Sequence, residues 1–326
     1  MVSQSENNVL PADFKPGQES FREEALAGLR KDRKELPCKY LYDELGAFLF
    51  ERICTLSEYY IPRVEKEIME SHVGEMTDRI GRGILLLEYG CGDCAKTRIL
   101  LDGMHDLSAF VPLDISREQL SRVASELAEE YPRLELLPVC ADYTGDFDLP
   151  EPELPVRRRM IYFPGSTIGN FEPFQAFDFL KQAADICGPG GTLLIGVDLK
   201  KEPDMLHRAY NDSQGITAAF NLNMLRRINR ELEGDFELKR FGHYAFYNPA
   251  AGRVEMHLVS LEKQDVHLDG ETIHFQEGES IWTESSYKYG LEDFKRLVTR
   301  AGFEVDKVWT DERRWFSVQY LVNRGW

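Results

Sequence analysis

Between residues 83 and 198, short continuous apolar runs alternate with segments whose apolar positions recur three or four apart. The runs are Gly83-Ile84-Leu85-Leu86-Leu87, Ala109-Phe110-Val111-Pro112-Leu113, Leu136 to Ala141, Met160-Ile161-Tyr162-Phe163 and Thr192 to Val197. Between them, Leu120, Val123 and Leu127, then Phe177, Leu180 and Ala184, give the stripe of an amphipathic helix. Apolar strands that alternate with such helices predict a parallel sheet covered on both faces.

On either side the pattern changes. Residues 19–75 read as helices, with Phe48, Leu49, Ile53 and Leu56 at helical spacing, and residues 200–232 read as polar helices. Residues 236–289 predict antiparallel hairpins. One turns at Asn248-Pro249-Ala250-Ala251-Gly252, and the other at Asp269-Gly270, between Val266-His267-Leu268 and Thr272-Ile273-His274-Phe275. A helix from Leu291 to Ala301 and a pair of strands, Glu304 to Thr310 and Trp315 to Val322, complete a seven-stranded sheet. The predicted fold is α/β, a Rossmann-like sheet over 66–198 and 288–326. A second α+β domain is built from 19–65 and the insertion 199–287. Residues 1–18, polar and containing Pro11, Pro16 and Gly17, read as disordered or loosely attached.

The first run leads into Glu88-Tyr89-Gly90-Cys91-Gly92-Asp93-Cys94-Ala95-Lys96. Gly90 and Gly92 let the backbone turn tightly against a flat ligand, and such sheets place their crevice at the carboxyl ends of the strands. Gly90-x-Gly92-x-x-Ala95 fits a dinucleotide fingerprint, and Asp114 stands 22 positions past Gly92, where a ribose-binding acid belongs. A nicotinamide cofactor is one reading. S-adenosylmethionine, with a ribose but no pyrophosphate, is the other, and three details favour it. Glu88 stands two residues before the glycines, towards a methionine end. Asp142-Tyr143 follow the third run, where adenine is gripped. The fourth run opens into the polar loop Pro164-Gly165-Ser166-Thr167-Ile168-Gly169-Asn170, above a reactive methyl group.

Charge narrows the partners. The 326 residues include 56 acids and 39 bases, for a net charge of −17. That disfavours nucleic acid, which is bound through basic contacts to phosphate, and an anionic membrane surface. No apolar stretch approaches the roughly 18 residues of a membrane span, and Met1 to Asn8 lack a signal peptide's apolar segment. Six dispersed cysteines make no disulfide framework, which fits a reducing, cytoplasmic location. Cys91-x-x-Cys94 has no second ligand pair to complete a zinc site, and the seven histidines show no metal-ligand grouping, so no metal is expected. The acidic surface without an apolar stripe points to a monomer.

Six stretches carry a resemblance. They are Tyr42-Asp43-Glu44-Leu45-Gly46, Leu56 to Arg63, Gly165 to Asn170, Asp198-Leu199-Lys200-Lys201 with His207 to Asp212, and Thr283-Glu284-Ser285-Ser286. With them the chain, from about residue 20 onward, resembles the histidine Nα-methyltransferases of ergothioneine biosynthesis. The resemblance implies three successive methyl transfers from S-adenosylmethionine to the α-amine of L-histidine, giving hercynine, with substrate held between two domains. It further implies that Gly90, Lys96, Asp114, Asp142 and Tyr143 hold the cofactor, with Tyr42 closing over it; Gly92 and Glu88 join them from the reading of the turn itself. Tyr59, Asn170 and Tyr210 would hold the amino-acid end, Glu284 and Ser286 the imidazole, and Met256 would line its pocket. Asn170 and Tyr42 stand nearest the chemistry. The turn departs from the family's frequent Gly-Ser-Gly-Thr-Ser, and Asp93 adds a charge beside the cofactor.

Each residue also has a plainer reading. Glu284 taken singly is an exposed strand-end acid, Asn170 a helix N-cap for the segment starting at Phe171, Tyr59 and Tyr60 packing residues, and Lys96 a solvated first-turn residue. A methyltransferase for tryptophan or tyrosine, a nicotinamide oxidoreductase and a catalytically silent S-adenosylmethionine-binding protein are the competing functions.

Overall fold

The computed structural model describes residues 12–14, 18–104, 106–145 and 147–325. Strand β1 (Ala12–Phe14) and helix α1 (Gln18–Leu29) come first, followed by a 3-10 turn at Cys38–Leu41 and by helices α2 (Glu44–Cys54) and α3 (Ile61–Ile80). Strand and helix then alternate as β2 (Ile84–Tyr89), α4 (Ala95–Gly103), β3 (Leu107–Asp114), α5 (Arg117–Glu130), β4 (Val139–Ala141), β5 (Arg158–Phe163), α6 (Pro173–Cys187) and β6 (Thr192–Asp198). Helices α7 (Pro203–Tyr210) and α8 (Ile216–Leu232) precede the antiparallel strands β7 (Phe241–Asn248), β8 (Arg253–Ser260), β9 (Gln264–Leu268), β10 (Glu271–Phe275) and β11 (Ser280–Tyr287). Helix α9 (Leu291–Arg300) and strands β12 (Phe303–Thr310) and β13 (Phe316–Asn323) follow.

The main sheet has the order β1-β4-β3-β2-β5-β6-β13-β12. Its neighbours pair in parallel except at β13, which is antiparallel to both β6 and β12. Seven of these strands are the expected sheet, and β1 is an addition. Within the stretch read as loosely attached, Ala12–Phe14 pair with Val139–Ala141, and Gln18 already begins α1. Three residues are too few to show a period, and they gain order by covering the open hydrogen-bonding edge of β4. Residues 1–11 and 15–17 lie outside the described residues.

Consecutive residues of β2 face opposite sides of the sheet, as strand pleating requires. Ile84 and Leu86 enter one apolar cluster, and Leu85, Leu87 and Tyr89 enter the other. The second cluster lies under α6 and α9, through Phe179, Leu180, Phe294 and Val298. The first runs without a break from the sheet through α3 and α8 into the smaller sheet β11-β8-β7, through Met256, Leu258 and Ile281. The two sheets therefore share one core on this side. The predicted hairpins form at β7–β8 and β9–β10, the latter turning through Asp269 and Gly270 with φ of 52° and 77°, a pair of positive values that suits a two-residue hairpin loop.

Strand β11 also packs against the 3-10 segment Thr167–Asn170 beyond β5. Gly169 makes that approach possible, because a Cβ there would stand 2.8 Å from the Tyr287 carbonyl oxygen. This contact sets the smaller sheet over the carboxyl end of the larger one.

Candidate functional site

The glycine turn folds over the end of β3. The N–H groups of Gly90 and Cys91 donate to the Leu113 carbonyl at 2.8 and 3.2 Å, and Gly90 and Gly92 take φ of 70° and 54°. A side chain at Gly92 would meet no atom within 4 Å, so this face of the turn is open to a ligand. Asp114 accepts from Gly92 N at 3.1 Å and from Ser116 N at 2.9 Å; burial raises its pKa against the pull of these donors. Asp142 accepts from Thr144 N, and Lys39 stands 3.5 Å from its other oxygen. The Tyr143 ring lies flat on Tyr89, with centroids 5.6 Å apart and 4° between planes. Asp93 is exposed and accepts from Ala95 N at 3.0 Å. Its charge is thus spent on the first turn of α4, where an anion is favoured.

Two residues of the turn have different surroundings from those their positions imply. Glu88 is buried beneath the turn and accepts from the Cys94 thiol at 3.3 Å. Burial pushes its carboxyl up to about 8, so it keeps its proton at neutral pH. Lys96 is not a solvated residue. It pairs with Glu65 of α3, a fully buried carboxylate that also accepts from Gly165 N at 3.0 Å. The pair ties α3, α4 and the loop after β5 together.

On the other side of the crevice stands a row of aromatic rings. Tyr42 meets Phe220 and Phe50 edge-on at 5.4 and 5.5 Å, Phe50 meets Tyr59 at 6.3 Å, and Tyr59 meets Tyr210 at 6.0 Å. The local sequence explains how each is held. Asp43 accepts from Gly46 N to start α2, directly after Tyr42, and Pro62 sits in the first turn of α3, where its missing N–H costs nothing. Asp212 accepts from the N–H groups of Ile216 and Thr217 to cap α8. The Tyr210 carbonyl lies 2.9 Å from His243 Nε2.

Strand β11 supplies the floor. Glu284 is paired in register with Met256 of β8, just past a bulge at Trp282. Only 9% of Glu284 is exposed, and its carboxylate has no hydrogen-bond partner among the described residues. Burial raises its pKa to about 7, with Lys288 pulling the other way. Its charge in turn raises the pKa of Tyr42, Tyr59 and Tyr210, for each of which burial is the larger cause, so all three lie within its electrostatic reach. Ser286, two residues on, accepts from the Tyr210 hydroxyl at 2.7 Å. Asn170 lies against this strand. The capping position of α6 belongs to Glu172, whose backbone N–H donates to Gln175 at 3.0 Å. The Asn170 amide makes no hydrogen bond among the described residues.

The sequence reading passed over a buried charged group behind this floor. Asp198, at the end of β6, accepts from the Tyr60 hydroxyl at 2.7 Å and pairs with both Lys201 and Lys288. Burial works against its charge, but the two ammonium groups hold its pKa below the usual value. Lys201, mostly buried, is lowered to about 8. The signal was present: Glu284, Ser286 and Lys288 fall on alternate positions and so share one face of a strand. Nothing in the sequence paired that face with Asp198.

Comparison with known proteins settles the class. A family model described as histidine-specific, S-adenosylmethionine-dependent methyltransferase matches residues 21–323. The chain belongs to this family. It is 39% identical over 322 residues to the histidine N-alpha-methyltransferase of Mycolicibacterium smegmatis, covering 97% of this chain and 98% of that one. Its identity to the enzyme of the same name from Mycobacterium tuberculosis is also 39%, over 91% and 92% of the two chains. Ergothioneine biosynthesis protein 1 of Neurospora crassa is 34% identical over 85% of this chain and 32% of that longer protein. Like the family, the chain uses S-adenosylmethionine to methylate histidine, and the nicotinamide reading of the glycine turn falls away.

Proposed function

We propose that the chain adds three methyl groups in succession to the α-amine of L-histidine, forming hercynine as the first step of ergothioneine biosynthesis, with the crevice between the two sheets as the active site. The observation that carries this reading is Glu284, a buried carboxylate with no hydrogen-bond donor among the described residues, on the strand that also carries Ser286, the partner of Tyr210. An imidazole N–H is the donor it lacks, and the bond is charge-assisted. A substrate without that donor leaves the carboxylate buried and unpaired, the condition under which polar pockets reject analogues most strongly.

The strand ends fit S-adenosylmethionine. The open face at Gly92, the anchored carboxylate of Asp114, the flat Tyr143 ring and the acid at Asp142 are complementary to a ribose and an adenine. Gly90 and Gly92 would admit it, Lys96 and Glu65 would border it, and Tyr42 would cover it. When bound, it supplies a methyl group on a positively charged sulfur. The rest of the chemistry is positioning, which is where such sites gain most of their rate. Asn170 orients the substrate amine with its two-sided amide, and Tyr59 and Tyr210 hold the carboxylate with rigid hydroxyl donors. A cation beside the amine favours its neutral, reactive form.

The same reading divides the chain into a cofactor domain, 66–198 with 288–326, and a substrate domain, 19–65 with 199–287. It makes the protein a cytoplasmic monomer without nucleic-acid or membrane partners. In support, no described helix is long and apolar enough to cross a membrane, the net charge is −17, and none of the six cysteines is in a disulfide.

Mass spectrometry of the protein with S-adenosylmethionine and an equimolar mixture of amino acids tests the reaction. Histidine alone should gain the mass of three methyl groups. A gain on tryptophan or tyrosine instead overturns the Glu284 pocket, and no gain on any amino acid overturns the reading as a whole.

A further inference from the structure

Lys288 directly follows β11 and continues the face that carries Glu284 and Ser286. Its side chain is fully buried. A lysine ammonium has three donors and no acceptor, and here each donor is used. Asp198 Oδ2 lies at 2.8 Å, Ser286 Oγ at 2.7 Å and the Tyr210 hydroxyl at 3.1 Å. Asp198 is shared with Lys201, and Glu284 on the same face also feels the Lys288 charge. Lys288 reaches the pocket through the two hydroxyls it donates to, those of Ser286 and Tyr210.

We propose that Lys288 is a positioning residue which, acting through Tyr210 and Ser286, makes the pocket select amines that carry an α-carboxylate. The inference rests on the substrate site described above and concerns a residue that does not itself touch substrate. By donating to both hydroxyl oxygens, Lys288 occupies a lone pair on each and turns both hydroxyl protons away from itself. In the free protein the Tyr210 proton goes to Ser286. A carboxylate is the stronger acceptor and takes that proton over. A hydroxyl that accepts from an ammonium is also a better donor, because hydrogen bonds in a chain polarise one another. A cationic group at the same position gains no such bond, and a neutral acceptor gains a weaker one.

The test is calorimetric titration of the wild type, Lys288→Met and Lys288→Arg with L-histidine and with histamine, its decarboxylated analogue, in saturating S-adenosylhomocysteine. Asp198 keeps Lys201 and Tyr60 as partners in the Met variant, and S-adenosylhomocysteine binding reports on its fold. Lys288→Met should weaken histidine binding roughly ten- to hundredfold, the range for a lost hydrogen bond to a charged group, and weaken histamine by a much smaller factor. Lys288→Arg should recover most of the loss. Unchanged histidine binding, or equal losses for the two amines, overturns the proposal. Should the Met variant fail to bind S-adenosylhomocysteine, Tyr210→Phe decides in its place, since it removes the hydroxyl through which Lys288 acts and must penalise histidine more than histamine. A wild type that binds histidine no better than histamine also overturns it. One that binds neither refutes the histidine site itself, which is a separate failure.

Discussion

Replacing Glu284 with Gln keeps the side chain's volume and removes its charge, and the structure sets the size of two opposite effects. In the folded protein the carboxyl keeps its proton up to about pH 7, against 4.5 for the free group. Between those values the folded state binds the extra proton, so stability falls as pH rises across the window. At about 1.4 kcal/mol per pKa unit, the ionised carboxylate costs the free protein about 3 kcal/mol above pH 7. Glutamine cannot ionise and avoids that cost. Glu88, held to about 8, shifts stability in the same direction but is common to both proteins and cancels in the difference. Denaturant unfolding without ligands should therefore show Glu284→Gln near wild type at pH 4.5 and about 3 kcal/mol more stable at pH 8. Histidine binding at pH 8, measured by calorimetry, should weaken about ten- to hundredfold through loss of the charge-assisted bond. A variant no more stable than wild type at pH 8 would mean that Glu284 is already satisfied without substrate. One that gained stability yet bound histidine normally would refute its role in recognising the imidazole.

Two further substitutions separate the halves of the site. Gly169→Ala puts a Cβ 2.8 Å from the Tyr287 carbonyl oxygen and must lift the Asn170 segment from β11, so turnover should fall at least about tenfold while S-adenosylhomocysteine binding holds; unchanged turnover would show that the contact does not set Asn170. Asp114→Asn replaces one of the oxygens that accept from Gly92 N and Ser116 N with an amide, and cofactor affinity should drop about tenfold or more, whereas equal affinity in a fluorescence titration would remove Asp114 from the cofactor site.

The main sheet and its ligand end were legible because they rest on local periodicity. The apolar runs became β2 to β6, and Asp114 and Asp142-Tyr143 fell at or just past the strand ends where the pattern placed them. Turn chemistry was equally local, as at Asp269-Gly270. Strand β1 escaped because three residues carry no period and pair only once β4 exists. The plainer reading of Lys96 as solvated could not be dismissed locally, because its partner, Glu65, is 31 positions earlier on another helix. Tyr42 and Tyr59 came into view through resemblance, not through any property of their own surroundings.

The sequence by itself determined which residues alternate, which turns close and which side chains share a strand face, since each depends on neighbours a few positions apart. The tertiary structure alone decided what each buried charge meets. Glu284 meets no donor among the described residues, and Lys288 is joined to Asp198, 90 positions earlier, and to the Tyr210 hydroxyl. A carboxylate or ammonium in water is the same in any sequence. Its pKa and its use are set by the dielectric and the partners around it, and those exist only when distant segments are brought together.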